Sequence, residues 1–117
     1  MDDNSLDRFL EVQRFEYGSA LEEIRNGEKT SHWIWYIFPQ MRGLGHSYYS
    51  DFYGISSIDE AMAYLAHPIL GTRLREISEA LLSHRGKSAE EILGRTDARK
   101  VRSCMTLFDM VCPDDIF

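Results

Sequence analysis

Apolar residues recur at helical spacing through most of this chain and crowd together in one short block. Leu6, Leu10, Gln13, Tyr17, Leu21 and Ile24 follow one another at steps of three and four. That spacing predicts a helix over residues 6–25 with a largely apolar stripe. Ser5 is placed to cap its start, and Gly27 lies just beyond its end. Ser57 and Glu60 form a capping-box pattern that opens a second amphipathic run, with Ile58, Ala61, Met62 and Leu65 on one face. His67-Pro68 interrupts it. Leu70, Leu74, Ile77 and Leu81 then mark a third helix, ending near Gly86. Ser88 and Glu91 repeat the capping pattern ahead of a short helix that stops at Gly94. A last helix is predicted from about Asp97 to Cys112, with Pro113 behind it.

Two stretches resist this reading. In SHWIWYIFPQ (31–40), Trp33 to Phe38 is apolar on every side, so periodicity cannot separate strand from helix. Its aromatic and β-branched content favours a short buried strand, while Ser31 as a cap favours a helical turn or two. Pro39 ends either one, because it biases Phe38 away from the helical region. GLGHS (43–47) reads as a loop, and SYYSDFYG after it as a short helix. About five to seven helices joined by short loops make an all-α, compact single-domain multihelical bundle.

Composition narrows the classes of function. The chain has 117 residues, enough for one domain. Its net charge of −6 opposes general binding to nucleic acid or to anionic membranes. No stretch approaches the ~20 apolar residues of a membrane span, and the acidic start MDDNSLDRF is unlike a signal peptide. Cys104 and Cys112 lie eight apart on one predicted helix, ~12 Å between α-carbons at helical rise, too far to bridge. Two buried thiols fit a reducing, cytoplasmic location. His32, His46, His67 and His84 are scattered and no Cys-x-x-Cys is present, so neither a metal site nor a cofactor is expected.

Candidate chemistry centres on residues 32–47 and on the last helix. His32 stands at the entrance to the aromatic block, either as an acid, base or hydrogen-bond donor to a ligand, or as a local backbone partner. If the block is helical, Trp33, Tyr36 and Gln40 share a face suited to something planar and polar, whereas Ile34, Ile37 and Phe38 make the better core face. Arg42, Gly43, Gly45, His46 and Ser47 follow. Glycine-rich backbone beside an arginine can cradle an anion, or simply turn between helices. On the last helix Val101, Cys104, Met105, Phe108 and Val111 form the apolar face. Arg99, Ser103, Thr106 and Met110 fall opposite, where small hydroxyls suit a pocket wall. Ser103 has no nucleophile elbow and no Ser-x-x-Lys around it. His67 is placed to fix its turn, and Arg73 and Arg75 to pair with Glu76 and Glu79.

SHWIWYIFPQ, GLGHS, SSIDEAMAYLAHPILGTRLRE, and RSCMTLF ahead of a Pro-Asp-Asp, in this order, resemble the family of uncharacterised proteins called domain of unknown function 1810. The resemblance covers essentially the whole chain. It implies a compact multihelical fold, which moves residues 31–40 from strand toward helix, and it implies no established activity. The label "calpastatin" carried by some members does not fit, because calpastatins are long disordered inhibitory repeats. Members usually continue past the Pro-Asp-Asp with another amphipathic segment. If that segment packs on the core, its absence leaves an apolar groove through which copies can associate, and a truncated chain is the plainer explanation. Two functions follow as expectations. One is a pocket for a small planar polar or nucleotide-like molecule, built from Trp33, Tyr36, Gln40, Arg42, Ser47, Ser103 and Thr106, with His32 as the candidate catalytic group. The other is a protein interaction module using the Trp-rich segment or the C-terminal groove. Burial of Trp33 and Gln40 discriminates, since an enclosed side chain is core and one open to a cavity belongs to a site.

Overall fold

The first helix, α1 (Asp7–Arg25), carries the longest amphipathic face, and the computed structural model describes it within residues 6–117. The predicted cap Ser5 lies outside the described residues. The face that α1 buries is Phe9, Gln13, Tyr17, Ala20, Leu21 and Ile24, so Leu6 and Leu10 sit at its half-buried edge. Gln13 has a structural reason to be inside. Its Nε2 donates to the carbonyl of Tyr36 at 2.7 Å and to the Tyr64 hydroxyl at 3.2 Å. A buried amide is tolerated when its bonds are made. Gly27 ends the helix at a positive φ of 80°, the left-handed conformation that glycine adopts without strain.

The ambiguous block resolves into a single helical turn, α2 (Ile34–Ile37), between non-helical flanks. Phe38, ahead of Pro39, leaves the helical region as expected, with φ −121° and ψ 74°. Beyond it the chain makes one isolated parallel bridge, Met41 to Ile55. Arg42 N–H donates to Ile55 O and Ile55 N–H to Gln40 O. No strand forms among the described residues beyond this. Between the bridged residues lies α3 (Tyr48–Phe52), capped by the Ser47 hydroxyl accepting from Ser50 N–H.

The helix α4 (Ile58–Ala66) starts where predicted but buries a different face. Glu60, Ala61, Tyr64 and Leu65 point inward, whereas Ile58 and Met62 are exposed. Its capping pattern is half realised. Ser57 accepts from Glu60 N–H, but the Glu60 carboxylate turns away to Arg8 at 2.9 Å and to Ser56 N–H at 2.8 Å. Arg8 also donates to the carbonyls of Phe52 and Gly54, so this buried pair clamps the 52–56 loop onto α1.

His67 opens α5 (Leu70–Leu82): its Nδ1 accepts from Ile69 N–H and Leu70 N–H. All four predicted stripe residues of α5 are buried. Gly71 is required at the α4–α5 corner, because a Cβ there would lie 2.0 Å from the Leu65 carbonyl oxygen. Arg73 and Arg75 do not pair along their own helix. Arg75 binds Asp115 at 2.9 Å, and Arg73 lies over the Tyr17 ring, whose hydroxyl bonds Glu76. The full capping box appears at α6 (Ala89–Leu93), and Gly94, with φ 87°, hands the chain directly to α7 (Arg95–Val111).

Of the seven helices among the described residues, all but α3 contribute side chains to one core. α1 lies against α2 and α5, and α4 against α5 and α7, while α6 lies beside α7. Phe9, Ile24, Trp33, Ile55, Leu70, Ile77, Cys104 and Phe108 are fully enclosed. Leu107 joins the inner face of α7, and Met105 and Val111 are only half-buried. Both cysteines are free, and burial pushes the Cys104 thiol well above its ordinary range. After α7 the chain folds back, and the ring of Phe117 packs on Phe108 at 5.8 Å. No helix among the described residues is long and apolar enough to cross a membrane.

Candidate functional site

Two of the predicted ligand-binding residues belong to the core. Trp33 is completely enclosed, and its indole N–H donates to Glu23 at 2.9 Å. Glu23 also accepts from Thr30 N–H, Ser31 N–H and the Ser31 hydroxyl, so one carboxylate gathers the whole entrance of the block. Partial burial alone would raise this carboxyl. The bonds from Ser31, Thr30 and Trp33 outweigh it and lower the pKa from 4.5 to about 2. Tyr36 is 7% exposed, and its hydroxyl donates to the His32 carbonyl. Burial first, then the nearby Glu16 charge, pushes that phenol up to about 12. Neither ring has a free face for a ligand. Their area stabilises the fold instead.

His32 itself is exposed, at the edge of a cleft of 370 Å³ beside the start of α7. The cleft also contains Lys29 and Asp97, but these two pair with each other at 2.8 Å. No side chain among the described residues bonds the His32 imidazole, so no acid–base or nucleophile pair is assembled there.

The next three candidates hold the loop together. Gln40 is half-buried and borders a void of only 10 Å³, shared with Trp35, Ser50 and Lys100. That is room for about one water molecule. The Trp35 indole N–H is buried and has no hydrogen-bond partner among the described residues, and Lys100 Nζ lies 5.3 Å from the centre of the Trp35 rings. Arg42 is exposed, and its Nε donates to the Asp51 carbonyl, so part of its donor set already secures α3. Ser47 is spent as the α3 cap.

Ser103 and Thr106 have a different setting. They lie in an open groove of 430 Å³ between the 41–44 loop, the start of α4 and the outer face of α7. Met41, Leu44, Ile58, Leu107 and Met110 supply its apolar wall, and Arg102 its charge. Leu44 is 58% exposed, Ile58 42% and Met110 66%. The Thr106 hydroxyl donates to the Arg102 carbonyl at 2.9 Å, so its free capacity toward a visitor is as an acceptor. On the other side of α7 lies a second groove of 480 Å³, whose wall mixes Leu82, Val101 and Met105 with His84, Lys87 and Glu90. Arg102 borders both grooves. Sequence reasoning placed Met110 beside Ser103 and Thr106 but missed Leu44 and Ile58. Leu44 could have been found as the one large apolar residue in a polar turn. Among the described residues no cluster of His, Cys, Asp and Glu is arranged to hold a metal ion.

Comparison with known proteins places the whole architecture. The profile described as "Protein of unknown function (DUF1810)" matches residues 3–117. No curated protein matches the chain. Among solved structures, the conserved hypothetical protein Rv1873 from Mycobacterium tuberculosis superposes with a TM-score of 0.93 at 46% sequence identity. The match covers 97% of this chain and 81% of that one. This chain belongs to the DUF1810 family of proteins of unknown function.

Proposed function

We propose that this protein is a binding module that recognises another protein through the groove between the 41–44 loop, α4 and α7. The observation that carries this reading is the exposure of Leu44, Ile58 and Met110 around one concavity of 430 Å³. Large apolar side chains grouped at an open surface mark interaction sites more often than scattered ones do. The groups that would carry a reaction do not gather. His32 sits at the cleft beside the start of α7, Gln40 at a void the size of one water, and Trp33 and Tyr36 in the core.

A second reading keeps the same groove for a small molecule. Its volume falls within the range of small-ligand sites, and Ser103, Thr106 and Arg102 offer a few polar groups on an apolar wall. The wall suits a largely apolar ligand with one polar end better than a nucleotide.

One titration separates the two. With the methyl groups of Leu44, Ile58 and Met110 labelled for NMR, the chain is exposed to two sets of compounds. One set holds nucleotides, ADP-ribose and common metabolites; the other is a library of short peptides. Peptide-induced shifts confined to these methyls are expected. Shifts caused only by metabolites would select the small-ligand reading and allow copies of the chain to be tested separately for self-association. Perturbation centred on His32 and Gln40 instead would overturn both.

A further inference from the structure

We infer that the partner surface is acidic: the outer face of α7 is built to receive a segment of another protein that combines carboxylates with large apolar side chains. The inference rests on the reading of the groove as a protein-binding surface, and adds what binds there. Arg95, Arg99, Arg102 and Thr106 follow one another at steps of four, three and four, so they form one line along the exposed side of α7. Arg95 has a loose, exposed contact with Glu90 at 3.9 Å. Neither Arg99 nor Arg102 has an ion-pair partner among the described residues, although the chain as a whole carries a net charge of −6. Acidic chains have carboxylates to spare, so two exposed arginines left unpaired on one line form a local positive ridge against the prevailing field.

The ridge is flanked by a largely apolar groove on one side and, on the other, by a mixed groove in which apolar side chains share the wall with His84, Lys87 and Glu90. Met110 and Leu44 border the groove of 430 Å³ on one side, and Met105 and Leu82 border that of 480 Å³ on the other. Arg102 lies on the divide, lining both. A segment crossing α7 can therefore set apolar side chains into the grooves while its carboxylates meet the guanidinium forks of Arg99 and Arg102. Asp109 closes the line one turn beyond Thr106's level and opposes extension of an acidic segment past that end. A nucleic acid satisfies the ridge but leaves the apolar side chains of the two grooves uncovered, and a purely apolar segment leaves the arginines unused.

The test is selection of displayed random peptides on the full chain, repeated on R99E/R102E and on M110D. All three positions are exposed, and thermal melts confirm that each variant is folded; R99Q/R102Q serves if the charge reversal perturbs the fold. Selected peptides are expected to be enriched in Asp and Glu together with Leu, Phe, Met or Trp. Their Kd, read by fluorescence anisotropy, should weaken at least about tenfold in R99E/R102E and in M110D. Peptides without acidic bias, or unaffected by the arginine changes, overturn the inference. The groove reading then survives if M110D still releases them. No enrichment, or binding indifferent to M110D, overturns both. A single-stranded oligonucleotide that binds as tightly as the peptides, with the same arginine dependence, also overturns it, because charge alone would then suffice.

Discussion

The blocks 31–40 and 48–53 are both rich in aromatic residues, yet they have opposite fates. In the first, Trp33, Tyr36 and Phe38 are buried. In the second, Tyr48 is 73% exposed, Tyr49 50% and Phe52 40%. The rings of the second block are satisfied by one another. Tyr48 and Phe52 stack at 5.8 Å, and Tyr49 lies between Trp35 and Tyr53. What separates the two is how each is tied to α1. Glu23, near the end of α1, holds the first block through a bond from the indole N–H of the enclosed Trp33. Arg8, near its start, holds the second block by the backbone carbonyls of Phe52 and Gly54, which leaves the side chains outside. Aromatic content therefore says little about burial until the anchoring atom is known.

The comparison breaks most sharply at Trp33. Trp33→Ala should lower unfolding stability by roughly 3–5 kcal/mol in urea, the range for emptying a large aromatic from a core. A loss below that range would mean that the block is not core. Next comes the second anchor. Glu60→Ala removes the carboxylate that binds Arg8 and Ser56 in a buried position and should cost about 3 kcal/mol. It should also loosen residues 52–56, seen as faster amide exchange there than in the first block.

Glu23→Gln is smaller, about 1 kcal/mol, since the amide keeps some acceptor bonds at a partly exposed position. Its pH dependence is the sharper check. The folded carboxyl titrates at about 2 against an ordinary 4.5, so its stabilisation is complete above that ordinary value. It is lost as pH falls from about 4.5 toward about 2. The gap in Tm between parent and Glu23→Gln should close over that window, and a gap that persists below it would count against the clamp. Least of all, Tyr48→Ala should change stability by under about 0.5 kcal/mol, as exposed positions usually do.

The helices were legible because their signals are local. The stripe of α5 and the Ser88–Glu91 box needed no tertiary information. The inner face of α4 was not legible, because the buried Glu60 pairs with Arg8, fifty-two residues earlier in the chain. The candidate site shows the same division. Ser103, Thr106 and Met110 were visible as one helix face, whereas their meeting with Leu44 and Ile58 depends on the bridge between Met41 and Ile55 and on the loop it closes. Trp33 and Tyr36 were assigned to a ligand face because an aromatic beside amides and phenols looks alike in a core and in a pocket. The burial of both rings, with the Trp33 indole N–H held by Glu23, tells them apart.

The enclosed thiol of Cys104 gives this fold a built-in clock. A sulfur with no exposure and a raised pKa cannot meet an alkylating reagent in the native state. Cys112, half-buried at the end of the same helix, is the more accessible of the two. In the folded chain one cysteine thus marks time zero and the other waits for α7 to lift from its neighbours. The delay between the two modifications measures how often the central helix opens.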